Sequence, residues 1–160
     1  MASPVAAGGA ALIKSMYPFF TALQVGEQLK VTCDDIYPLN TSYQGMLGNG
    51  RINLEQAVGG ISKPSVDMIE KVVTDNLDDA FVVGDTLNIY GTFMNFLAPT
   101  GNLTATISTT SPYINIIDNN TSLGSLGMLE SADNNSDPYI VEILAGTPLN
   151  TVVTLQIDIT

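Results

Sequence analysis

Sixteen carboxylates and one thiol, Cys33, stand out among the reactive side chains of this 160-residue chain, which has no histidine. Without an imidazole, a hydroxyl nucleophile lacks the usual base to take its proton, so acyl transfer would need a base from outside the chain. The same absence, with a single Cys, removes the His and multi-Cys clusters that hold zinc, and leaves oxygen atoms as the available metal ligands. Asp75, Asp78, Asp79 and Asp85 are the candidates for such a calcium site. Their spacing misses the EF-hand loop, and a solvated turn accounts for the same four residues. No metal or cofactor is expected. Cys33 would need exposure and a cationic neighbour to react, and its helical spacing makes it a small core residue instead. Paired acids for a carboxylate hydrolase have no positional support beyond the number of Asp residues. Asn102-Leu103-Thr104, Asn119-Asn120-Thr121 and Asn134-Asn135-Ser136 have the form of glycosylation sequons, which a chain rich in Asn and Thr also produces by chance.

Composition narrows the class. Five Lys plus Arg against sixteen Asp plus Glu give a net charge of -11, which repels nucleic acid over most of the surface. A hydrophobic fraction of 45% suffices for a packed core, in one ordinary domain or two small ones. Scarce lysine, one Cys and abundant Asn, Thr, Ser and Gly fit an exported bacterial protein. Val5 to Ile13 is an unbroken run of small and apolar residues, but no cationic segment precedes it and Lys14 ends it. A membrane span needs roughly 18 apolar residues, so the run reads as neither a span nor a secretory signal.

The elements that must position these residues change character near residue 60. Before it, Thr21 and Asn53 each stand three residues ahead of a glutamine, Gln24 and Gln56, the spacing of a helix-starting capping box. In the helix after Thr21, the residues Ala22, Val25, Leu29 and Cys33 form one stripe, which leaves Gln24, Glu27 and Lys30 mostly in water. The helix after Asn53 is expected to end on a left-handed Gly59-Gly60 cap. From Ser65 onward the period is two. Alternation over Leu87 to Phe93, Leu103 to Ile107 and Val153 to Ile159, with Val66 to Val73, Tyr113 to Ile117, Leu123 to Leu129 and Tyr139 to Leu144, predicts about seven strands. Gly, Pro, Asn and Asp clusters separate them, as in an antiparallel sandwich. Ile61 to Pro64 reads as the linker. The chain is therefore expected to be α+β, with helices over 1-60 and a β-sandwich over 65-160.

One stretch is more specific. Met1-Ala2-Ser3-Pro4-Val5-Ala6-Ala7-Gly8 resembles the second half of the subtilase active-site signature Gly-Thr-Ser-Met-Ala-Ser-Pro-x-x-Ala-Gly. Pro4 suits a first helical turn, where the N–H it lacks would be unpaired anyway. The resemblance continues through Tyr17-Pro18, Thr21 with Gln24, Thr32-Cys33-Asp34-Asp35, and Gly48-Asn49-Gly50-Arg51-Ile52-Asn53 with Ala57 and Val58, in order and in register to about residue 58. Cys33 departs from the family's usual Ala, one small residue for another. Val83-Gly84-Asp85-Thr86-Leu87-Asn88-Ile89, Asn95, Ser108-Thr109-Thr110-Ser111-Pro112-Tyr113, Leu123-Gly124-Ser125-Leu126 and Leu155-Gln156-Ile157 resemble, less specifically, adhesion-type immunoglobulin-like domains.

The resemblance implies the C-terminal helices of a subtilisin-like α/β catalytic domain, followed by an immunoglobulin-like sandwich that lacks its last strand. It implies a secreted or cell-surface serine endopeptidase acting on proteins or peptides through an Asp, His and Ser triad. All three residues would lie upstream of Met1, in an N-terminal part of the catalytic domain that is missing here. Met1, Ala2, Ser3, Pro4, Ala7 and Gly8 are then a remnant of the active-site signature, Ser3 being its second serine with a packing or capping role, and the chain itself carries no catalytic residue. From another class, the rival reading is a non-catalytic binding or structural sandwich module.

Overall fold

The computed structural model describes residues 2–160 of an α+β chain with helices first and two antiparallel sheets after them. It divides into two compact units. One takes the chain up to Ser65 together with Asn95–Pro99 and Gly127–Leu129; the other takes Val66–Met94, Thr100–Leu126 and Glu130–Thr160.

The first unit contains α1 (Ala2–Met16), α2 (Ala22–Val31), two short 3-10 turns (Tyr37–Leu39 and Thr41–Tyr43) and α3 (Leu54–Gly59). Helix α1 is closed at its C-terminal end by Lys14, whose ammonium reaches the carbonyls of Pro18 and Phe20. Thr21 opens α2 with a complete capping box: its hydroxyl accepts from the Gln24 N–H at 3.2 Å, and the Gln24 amide oxygen accepts from the Thr21 N–H at 3.0 Å. That bond corrects the expected stripe. Folding back to the cap draws Gln24 out of water, where its Nε2 donates to the Phe96 carbonyl at 3.1 Å, while Ala22 faces solvent. Asn53 caps α3 through the Gln56 N–H at 3.0 Å. The far end of α3 has no left-handed cap: Gly60 leaves at φ 150°, ψ 164°, and buried Gln28 donates Nε2 to both the Ala57 and Gly60 carbonyls at 3.0 Å. A side chain thus satisfies carbonyls that a glycine motif would otherwise turn inward.

The second unit holds β1 (Val66–Thr74), β2 (Thr86–Asn95, its last residue in the first unit), β3 (Asn102–Ser108), β4 (Ile114–Asp118), β5 (Asn120–Ser125), β6 (Ser131–Asp133), β7 (Tyr139–Ile143) and β8 (Gln156–Ile159). One sheet runs β1-β2-β7-β4, with β6 also on β2; the other runs β5-β3-β8. Leu87, Ile89, Phe93, Tyr139 and Val141 from the first sheet and Ala105, Ile107 and Leu123 from the second form one buried cluster, so the sheets face each other across a shared core. Strand β2 pairs with β7 over Thr86–Ile89 and with β6 over Thr92–Met94. Buried Asn134 bridges the interval: its Oδ1 accepts from the Gly91 N–H and its Nδ2 donates to the Ile89 carbonyl. Strand β6, too short for a visible period, is the addition to the expected strands. The expected strand over Val153 to Ile159 pairs only from Gln156, and that over Leu123 to Leu129 ends at Ser125, after Gly124 turns at φ 68°.

Candidate functional site

Of the signature residues, Met1 lies outside the described residues. Ala2, Ser3, Pro4, Ala7 and Gly8 occupy the first two turns of α1. Ser3, Pro4, Ala7 and Gly8 are exposed, and the Ser3 hydroxyl makes no hydrogen bond among the described residues. The close approach that a small-residue helix permits occurs one position later. A Cβ added at buried Gly9 would lie 2.7 Å from Leu54 Cδ2 and 3.2 Å from Leu29 Cδ2, so α3 and α2 both press on α1 there. Ile13, one turn on, is fully buried. The remainder of α1 is apolar and open: Val5, Leu12 and Met16 are 55%, 43% and 55% exposed.

The densest polar arrangement of this unit is built on Asp34. Its backbone forms a bridge with Arg51, Asp34 N–H to Arg51 O at 2.8 Å and Arg51 N–H to Asp34 O at 3.0 Å. Its Oδ2 accepts from Arg51 Nε at 3.2 Å and Nη2 at 2.9 Å, and its Oδ1 from Asn53 Nδ2 at 2.8 Å. The Asn53 bond, then the Arg51 bond, hold the carboxyl below its ordinary value. The approach requires glycine at position 50, where φ is 111° and a Cβ would fall 2.1 Å from the Asp34 carbonyl oxygen. The Gly-x-Gly-x-x-Asn segment therefore ties the chain after α2 to the start of α3. With its lone pairs committed in this way, Asp34 is a fastening. Cys33 beside it is half-buried, donates Sγ–H to the Leu29 carbonyl at 3.2 Å, and has its thiol pushed up by burial and then by the Asp34 charge, so little thiolate forms at neutral pH.

A second hub is Asn95, which the sequence marked only as part of the immunoglobulin-like resemblance and not as a hub. Asn95 is 0% exposed; its Oδ1 accepts from the N–H groups of Ser65 at 3.1 Å and Leu97 at 3.3 Å, and its Nδ2 donates to the carbonyls of Ala98 at 2.8 Å and Gly127 at 3.1 Å. One asparagine thus gathers three separate stretches of chain into the first unit. An Asn near a strand end is too common in sequence to signal this.

In the second unit three of the four candidate calcium ligands have their carboxylates engaged by backbone, and Asp79 takes part through its own N–H. Asp75 Oδ1 accepts from Leu77 and Asp79 N–H, Asp78 Oδ1 from Ala80 N–H, and Asp85 Oδ2 from Val82 N–H at 2.7 Å. They shape the loop between β1 and β2, and the structure does not bring them together as a ligand cluster. Among the sequons, Asn134 is buried in the sheet bond network, while Asn102 and Asn119 are exposed. An apolar groove of about 600 Å³ is lined by Phe81, Val82, Leu87, Ile114, Leu149 and Val153 among others. No helix among the described residues is long and apolar enough to cross a membrane. No protein-family model matches the sequence, and no curated protein matches it significantly.

Proposed function

We infer that the first unit derives from the C-terminal helices of a subtilisin-like serine peptidase domain, with the sandwich as its accessory module. The observation that carries the reading is α1. A helical run that is apolar all round, as Val5 to Ile13 of α1 is, belongs in the core of a larger protein. Here α1 begins on the signature residues, packs Gly9 and Ile13 against its neighbours, and leaves Val5, Leu12 and Met16 bare. The parallel sheet of a subtilase domain is a cover of the required chemistry. In that register the serine nucleophile occupies the position before Met1, at the positive end of the α1 dipole. A histidine outside this chain takes the serine proton and returns it to the leaving amine, while oxyanion donors hold the tetrahedral intermediate. Substrates would be proteins or peptides, and the setting extracellular.

Purified, the 160-residue chain is expected to give no turnover of casein or a fluorogenic peptide. The coding sequence upstream of Met1 is expected to read Gly-Thr-Ser in frame. Turnover by the chain alone, or another residue directly before Met1 in that frame, overturns the assignment. The sandwich groove favours a second reading, a binding module that acts by itself. A ribosome-binding site preceded by a stop codon upstream of Met1 would favour that one.

A further inference from the structure

The geometry points to β8 as a self-association edge, on which a second copy of this chain adds its own β8 antiparallel. This inference is independent of the peptidase reading. Sheet edges are hazards that folded proteins blunt with charges, bulges, glycine or brevity. Strand β1 carries Asp67, Glu70 and Lys71. Strand β4 has a register break between Ile116 and Asp118, β5 has Gly124 at φ 68° and faces a register break at Leu103/Thr104, and β6 has three residues. Strand β8 has neither a bulge nor a glycine, and its one charge, Asp158, lies on the exposed face of the sheet. It is short in its pairing, but the stretch from Thr151 to Thr160 alternates half-buried and exposed residues without interruption, so the chain is strand-like well ahead of Gln156.

The phase of the open edge follows from its last bonds. Thr104 and Thr160 exchange both backbone hydrogen bonds, at 2.8 and 3.0 Å. With a period of two, Asp158 and Gln156 then bond to β3, and the N–H and C=O groups of Ile157 and Ile159 point to the open side. Among the described residues no strand pairs there.

The sequence of this edge selects its partner. An antiparallel two-fold centred on Ile157 places Ile157 opposite its copy, Leu155 opposite Ile159, and Gln156 opposite Asp158, all with matched character. Inner-face side chains that are half-buried in one copy would gain an apolar neighbour in the other. Moving the centre to Asp158 sets that residue against its own copy, like charges directly opposed. Side chains 156 and 158 already lie within reach on one face, since Gln156 Nε2 donates to Asp158 Oδ1 at 2.9 Å. A net charge of -11 per chain opposes association, so the dimer should tighten as salt screens it.

Sedimentation equilibrium of the full chain, from micromolar to millimolar concentration at high ionic strength, is expected to show a monomer–dimer equilibrium. Gln156→Lys, which sets an ammonium against the partner's Asp158 twice, should tighten it by about fivefold, and Gln156→Asp should weaken it by about fivefold. Asn135→Lys and Asn135→Asp, on an exposed turn, change net charge equally and should leave the constant within about twofold under the same screening. A monomer throughout overturns the proposal. So does a dimer indifferent to the sign at position 156, as association through the bare face of α1 would be, or one that responds equally at position 135.

Discussion

Tyr139 is 0% exposed in the sandwich core, yet its hydroxyl, like that of Thr121, has no hydrogen-bond partner among the described residues. An unpaired buried hydroxyl loses its hydration for nothing in return. Burial, with a smaller contribution from the Asp137 charge, pushes the phenol up to about 12. The folded value thus lies above the unfolded one. Between about pH 10 and 12 the unfolded chain releases this proton and the folded chain keeps it, so stability falls as pH rises, by about 1.4 kcal/mol per unit. Tyr139→Phe is expected to stabilise the sandwich by about 1 kcal/mol at neutral pH and to flatten this alkaline decline. Urea unfolding of both proteins at neutral pH and near pH 11 checks it, with tyrosinate absorbance reporting the late proton. Asp34 runs the other way: its carboxyl is held down, so its contribution is present above the ordinary carboxylate value of 3.8 and is lost as pH falls through the lowered folded value.

At the scale of elements, the glycines separate into two kinds. Gly50→Ala forces both a φ of 111° and an overlap with the Asp34 carbonyl, and should destabilise the helical unit by about 3 kcal/mol, read as a lower melting temperature. Gly8→Ala meets nothing within 4 Å on an open helix face, and should stabilise it by about 0.5–1 kcal/mol. Capping pairs are short-range chemistry, which is why Thr21 with Gln24 and Asn53 with Gln56 could be read as helix starts from the sequence. The change to period two likewise announced a β-rich second half. What stayed hidden is long-range: the bond of buried Gln24 to the Phe96 carbonyl, the role of Gln28 as a cap for α3, and the bridging by Asn134 across β2. Nor could alternation alone say that Val153 and Leu155 would be extended without a partner, since pairing depends on how far β3 reaches. The Asp34 arrangement was half legible: its residues stood out as motif, but their mutual bonds needed the fold.

For the whole molecule, the two units differ in how they are sealed. The sandwich unit holds eight buried residues in one cluster and its most exposed apolar residues, Leu77, Leu149 and Val152, lie in loops, whereas in the helical unit Val5, Met16 and Leu23 are more than half exposed on the helices themselves. Limited proteolysis is therefore expected to cut within residues 1 to about 58 well before it cuts the strands, with amide exchange faster in α1 than in β2, β3 and β7. An N-terminal half that outlasts the sandwich would contradict this. The binding of Asn95 to Ser65 and Gly127 also orders events in time. Helices α1 to α3 leave the ribosome before the sandwich, yet Phe96, Leu97 and the 127–129 turn that complete their unit have still to emerge. The nascent helices must wait, incompletely packed, until much of the sandwich has been synthesised, and a gene cut at Ser65 would make them wait indefinitely.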